Sequence, residues 1–509
     1  MPLRHLAAAA ATYLLVCIPA SAAESAPDPQ ARHLLNRLAF GPTIEDLRHL
    51  AAVGADRYIN EQLNPQSIRE PPELIQRLAA LDTLRLDPAR LFEMYGPWRP
   101  FRGGVKPSPE EAKVRRERAK IIVQQAAEAR ILRATMSRRQ LQEVMVDFWY
   151  NHFNVFAGKG LDHLWAGSYE EQAIRPYALG RFRDLLLATA RHPAMLFYLD
   201  NAQNSAPGTR GPDGKEIGLN ENYAREVMEL HTLGVDGGYT QADVISLAHI
   251  LTGWGLARPN LRLGTGSAFM FDAARHEFGA KVFLGHPIRS SGEAEGEEAL
   301  GLLARMPATA HHIAFELAQY FVADAPPPAL VDRLAARFRD SDGDIRAVLK
   351  TLFTSREFRD SAGKKYKTPD QFVLSAVRAA GVAVVNPYPL LGAMARLGMP
   401  LYGCQTPDGY KNTEAAWLSP DAITLRISFA TTLAAGKLPI MSPPSDAPRP
   451  QLAADPPLAA APEGEPVDAA RLEQIFGPTL TAQTRGTIAE TPAQLRAAVI
   501  LGSPDFMRR

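Results

Sequence analysis

Cysteine is almost missing from this chain. Cys17 and Cys404 are the only two in 509 residues, so no disulfide framework supports the fold. Net charge is missing too: 56 Lys and Arg against 55 Asp and Glu leave a formal +1. No long-range field draws in a polyanion, which excludes nucleic acid as a main partner. Beyond the N-terminus no apolar run is long enough to cross a membrane. Catalytic signatures are absent as well: no H-E-x-x-H, G-x-S-x-G, Walker loop or paired C-x-x-C occurs. The acids of "DSDGDI" (340–345) place glycine one position early for a calcium loop, and Thr351 stands where that loop needs glutamate. The sequence assigns no metal site and no cofactor.

What is present begins with an export pattern. "MPLRH" gives a short positive start, "LAAAAATYLLVCIPA" an apolar run, and Ala20-Ser21-Ala22 an A-x-A cleavage site. The pattern predicts a signal peptide over 1–22, Sec export, a periplasmic or secreted location, and no transmembrane segment after cleavage. Val16 before Cys17 argues against lipid attachment. Cleavage would leave Cys404 as the sole thiol.

The rest predicts a mainly α protein. Ser or Thr followed by Pro recurs at Ser108, Thr368, Ser419, Thr491 and Ser503. The hydroxyl caps free N–H groups, and proline fits the first helical position. Thr43 with Asp46, Ser137 with Gln140, and Thr240 with Asp243 read as further helix starts. A long helix is expected from Pro109 to about Thr135, followed by one from about Arg138 to Phe156. Strand signals are few: "FMF" (269–271) and "KVFLG" (281–285) predict one small hairpin. The expected organisation is a large multi-helix body over 23–442, a Pro/Ala-rich linker or loop over 443–466, and a helical tail over 467–509 packing on the body.

Three stretches could carry chemistry. In "EVMVDFWYNHFNVF" (143–156) the aromatics point most ways round the helix, which predicts burial. Asp147, Asn151 and Asn154 share one stripe of it at i, i+4, i+7. Each unmet polar group there would cost about 1–3 kcal/mol, so the stripe needs partners. Glu221, Arg225 and Glu229 form an i, i+4, i+8 ladder in the second stretch, which ends at His231. By itself that ladder is an ordinary solvated face. Facing the aromatic helix, Arg225 becomes the expected partner of Asp147. The third stretch sets His276, Glu277 and Lys281 around a glycine turn, either a site or a polar hairpin tip. The candidate residues are therefore Asp147, Asn151, Glu221, Arg225, Glu229, His231, His276 and Lys281. His152 lies off the stripe and is expected as a core or rim histidine. Cys404, beside the turn Pro407-Asp408-Gly409, is expected as a small buried residue.

Several long motifs occur in order: "HLLNRLAFGPT", "DFWYNHFNVF", "HPAMLFYLDNAQNS", "NENYAREVMELHTLGVDGGYTQADVISLAHILTGW", "HEFGAKVFLG", "SDGDIRAVLKTLFTSREF" and "TPDGYKNTEAAWLSP". From about Ala31 to its end the chain resembles the large bacterial family called domain of unknown function eighteen hundred. The resemblance implies an exported protein and supplies no catalytic residue to match. It also implies a partner, because such proteins are often encoded beside exported sulfatase-like or phosphatase-like ones. Two functions are expected from this: binding or assembly with an exported, sulfatase-like protein, or an exported enzyme, a hydrolase, with a polar cleft built from 147–154, 221–231 and 276–281. The enzyme requires convergence of those segments on one open pocket with a carboxylate or histidine of shifted pKa. The binding protein requires a sealed ionic core and an exposed apolar patch.

Overall fold

The computed structural model describes residues 29–97, 108–211, 214, 216–257, 266–442 and 464–509. The expected signal peptide, 1–22, and all but the last residues of the 443–466 linker lie outside them. The chain is mainly α, 62% helical, with three small two-stranded sheets among the described residues. Among the described residues no helix is long and apolar enough to cross a membrane.

Most start signals act as expected. Ser108 and Glu111 form a capping box that opens the 28-residue helix Pro109–Met136. Thr43 with Asp46 and Thr240 with Asp243 form two more, and Thr368 and Ser419 stand at the N-caps of Pro369–Ala380 and Pro420–Ala434. Two signals do less. Thr491 precedes Pro492, which is itself the N-cap of Ala493–Leu501. Ser503-Pro504 opens a turn, in which the Phe506 N–H donates to Ser503 Oγ. The helix after Ser137 runs Gln140–His152 rather than from about Arg138 to Phe156: at its start the Ser137 hydroxyl is committed to Glu70 and to the Arg139 N–H, and at its end Phe153, with ψ +50°, leaves helical geometry.

The expected hairpin does not form. Phe269–Phe271 pairs with Trp254–Leu256, and Val282–Phe283 pairs with His286–Pro287. Val282–Phe283 finds a partner two residues away, with a shorter loop to close, whereas Phe269–Phe271 pairs back across a longer loop with Trp254–Leu256, whose Trp254 is fully buried.

Pro109–Met136 changes character along its length. Its first two turns are exposed, whereas Ala126, Ala127, Ala129, Arg130, Ile131 and Leu132 are buried. That half meets Gln140–His152, whose Trp149 and Met145 are fully buried. Pro307–Phe321 packs on Pro328–Asp340, and Phe148 meets Tyr320 edge-on at 5.3 Å. The C-terminal residues lie against the segment 365–372. The Lys367 N–H donates to Met507 O at 2.9 Å, the Arg509 N–H donates to Lys365 O at 2.8 Å, and Phe506 packs on Phe372.

Candidate functional site

The buried end of Pro109–Met136, the C-terminal half of Gln140–His152 and the 394–412 segment enclose a cavity of about 280 Å³. Pro307–Phe321 adds His312, Glu316 and Tyr320, and Pro369–Ala380 adds Asp370 and Gln371 from its first turn. Glu229 closes one side from the end of Asn222–Glu229.

The 394–412 wall is fastened by the polar stripe. Asn151 donates through Nδ2 to Tyr410 O at 2.9 Å and accepts at Oδ1 from the Tyr410 N–H at 2.7 Å. Asn154 Nδ2 donates to Cys404 O and Thr406 O at 3.0 and 2.8 Å. Such close approach needs glycine at 409: φ is +65°, and a Cβ would lie 2.2 Å from Asn151 O. Tyr402 adopts a left-handed backbone, φ +58°. For a non-glycine residue this costs about 1–3 kcal/mol. Its hydroxyl donates to Glu170 Oε2 at 2.7 Å, which ties the strained residue down.

Behind the cavity lies an ionic network. Arg130 bridges Asp147 at 2.5 Å and Glu170 at 2.6 Å. Arg175 bonds Glu143 at 2.8 Å, Glu170 at 3.0 Å and Glu171 at 3.2 Å. Arg133 holds Glu171 by a second bond of 2.9 Å. Glu170 and Glu171 reach inward from one turn of π-helix, Tyr169–Ile174, a rare geometry that turns two successive carboxylates toward different arginines. Burial opposes ionisation of Glu170, but Arg130, Arg175 and the Tyr402 hydroxyl outweigh it and hold this carboxyl below its usual range. Three arginines thus face four carboxylates, and Asp147 is the surplus acid. Burial, then the charge of Asp370, push the Asp147 carboxyl up to about 7, against the opposing pull of Arg130. Its side chain stays 15% exposed, enough to face the cavity.

A second proton sits nearby. His152 Nε2 lies 3.2 Å from His231 O, and Nδ1 lies 2.6 Å from Glu316 Oε2. Both neighbours are acceptors. With Nε2–H donating to the carbonyl, a proton must lie between Nδ1 and the Glu316 carboxyl. Burial resists charge on Glu316, but His152 and His312 hold its carboxyl low.

Of the expected site residues, Asp147, Asn151 and Glu229 line the cavity. His231 is buried behind His152, their rings 6.0 Å apart, and burial drives its pKa well down. Arg225 does not meet Asp147. It donates to Glu221 at 3.1 Å and to Gln241 at 3.0 Å, because its two-turn helix turns Tyr223 and Val227 inward and Arg225 toward the helix Gln241–Ile250. Glu221, which also accepts from Gln241, stays with it outside the cavity. The expected third segment also lies elsewhere. His276 and Lys281 both bind Glu295, at 3.1 and 2.8 Å, and His276 is buried rather than exposed at a hairpin tip.

Arg130, Glu170, Glu316, Asp370 and Tyr402 were not expected. Signals for two of them exist. Arg130 interrupts the apolar stretch "AAEARIL", and His312, Glu316 and Tyr320 recur at i, i+4, i+8 along one face of a predominantly apolar helix.

Residues 33–508, nearly the whole chain, match the family described as "Protein of unknown function (DUF1800)". The chain belongs to this family. No curated protein and no solved structure matches this DUF1800 chain.

Proposed function

We propose that this DUF1800 protein is an exported enzyme, a hydrolase, whose cavity carries out proton transfer at Asp147. The observation that carries the reading is the Asp147 carboxyl lining a ligand-sized space, where burial and the charge of Asp370 push it up to about 7. A group with that affinity serves as a general acid at neutral pH. The His152–Glu316 pair holds a second exchangeable proton, and the Asp370 carboxylate, receiving the Thr368 hydroxyl, faces Asp147 electrostatically. Hydrolysis asks only for water, a donor and an acceptor, which these groups supply. Export follows from the leader-like pattern of residues 1–22.

Assembly with an exported, sulfatase-like protein is the second reading. Phe278 and Val282, 57% and 60% exposed, support it as apolar side chains on the surface.

Chromogenic ester, amide and glycoside panels separate the two. Turnover of one class is expected, falling about 100-fold or more in Asp147→Asn and unchanged in Arg225→Ala. Equal turnover in Asp147→Asn contradicts the acid role. No turnover, together with capture of a sulfatase-like protein from the exported fraction, favours assembly.

A further inference from the structure

The cavity has a charge deficit. Among the described residues Asp147, Glu229, Glu316, Asp370 and Asp408 line it, against Arg130 and Lys411 as permanent cations. Both cations are committed: Arg130 to Asp147 and Glu170, Lys411 to Asp408 at 2.6 Å. Among the described residues Glu229 contacts the Tyr239 hydroxyl at 3.5 Å and Asp370 the Thr368 hydroxyl, and neither makes an ion pair. With Asp147 protonated, Arg130, Arg133 and Arg175 balance Glu143, Glu170 and Glu171, and the proton between His152 and Glu316 leaves that pair without net charge, so Glu229, Asp370 and Asp408 against Lys411 leave two negative charges. A low-dielectric wall focuses such a field into the opening and repels anions.

We infer that the cavity takes a ligand bearing a positively charged nitrogen, a primary ammonium or a guanidinium. The inference rests on the reading that this cavity is the ligand site, and it does not require turnover. The acids at the rim support it. After burial, the charges of Glu229 and Asp408 raise the carboxyl of Glu226 above its usual range, against the pull of Arg225. Gathering like charges is unfavourable until a cation arrives. The remaining lining suits an organic cation: Phe148 and Tyr410 are aromatic, and an N–H⁺ group can donate to several carboxylates at once. No three His, Cys, Asp or Glu side chains among the described residues converge closely enough to hold a metal ion. A space of about 280 Å³ suits a short amine or one Lys or Arg side chain of a peptide. Sulfate and phosphate esters carry the wrong sign.

Isothermal titration of the full chain with benzylammonium, benzyl alcohol and benzoate tests this, since the three probes share a ring and differ in charge. Benzylammonium should bind about 10-fold tighter than the alcohol, and benzoate should not bind. Glu229→Gln and Asp408→Asn, both at the half-buried rim, should each weaken benzylammonium binding several-fold. A trilysine peptide distinguishes the sources: binding of the peptide but not the free amine points to a protein side chain, and binding of both to a free amine. Either result supports the inference. It is overturned if the alcohol binds as well as the ammonium, if neither benzylammonium nor trilysine binds, or if both rim variants bind like the unaltered protein. Cation binding without turnover in the chromogenic panels would remove the hydrolase and leave the inference standing. Turnover without cation binding would do the reverse.

Discussion

Arg130 is held between two carboxylates, with one terminal nitrogen 2.5 Å from Asp147 and the other 2.6 Å from Glu170. Its guanidinium also lies over the Tyr150 and Tyr402 rings, at 5.3 and 5.8 Å. This one residue joins the sealed ionic network to the open cavity. Glu170 is the buried side of the clamp, and Asp147 is the side that can exchange a proton.

Breaking the buried side should be costly. Glu170→Gln leaves Arg130 and Arg175 undercompensated and weakens the acceptor for the Tyr402 hydroxyl. A loss of about 3–5 kcal/mol is expected from urea unfolding, as for other broken buried ion pairs. A change below about 1 kcal/mol would mean that the network is not a unit.

Asn151→Ala should release the 394–412 wall. Two hydrogen bonds to the Tyr410 backbone disappear, which costs about 1–3 kcal/mol. Hydrogen exchange should quicken in 403–412 and stay slow in Gln140–His152. Uniform quickening would instead report global destabilisation.

Asp162 is buried, and neither carboxyl oxygen has a hydrogen-bond partner. Burial pushes its pKa up to about 9, with Lys159 pulling down and Asp200 adding to the rise. The sign follows directly. The folded chain keeps this proton up to about pH 9, whereas the unfolded chain loses it near the usual aspartate value. Stability therefore falls as pH rises between those values. Asp162→Asn removes that loss and should stabilise the protein by more than about 1 kcal/mol at pH 8 relative to its effect at pH 4. Unfolding midpoints at the two pH values measure it, and an effect independent of pH would refute it.

Arg225→Ala should change little. Its pair with Glu221 is an i, i+4 surface contact, 39% and 34% exposed, and such pairs contribute about 0.5 kcal/mol. A larger loss in thermal or urea unfolding would show that Arg225 has a role beyond this surface pair.

Much of the fold was legible because its signals are local. A cap such as Ser108 with Glu111 needs only neighbouring residues, and the aromatic girth of Gln140–His152 announces burial without naming what covers it. The demand of the Asp147 stripe for partners was legible too, but their identity was not. Arg225 and Arg130 offer the same five donors. What separates them is which way a two-turn helix rotates against Gln241–Ile250, a tertiary fact. Asn151 and Asn154 turned out to bond the backbone of residues 404–410, and backbone groups look alike at every position of a sequence. The misplaced hairpin has a similar origin. Both strands were recognised, and each paired with a different segment that carries little strand signal of its own.

The Asp147 carboxyl exchanges its proton near neutral pH while facing the cavity. Carboxyl ¹³C NMR of aspartate-labelled protein, with Asp147 assigned by the signal lost in Asp147→Asn, tests it most directly. The account predicts a titration midpoint of about 7 that moves when benzylammonium is added. A midpoint at or below the ordinary aspartate value of 3.8, unmoved by the ligand, would contradict it.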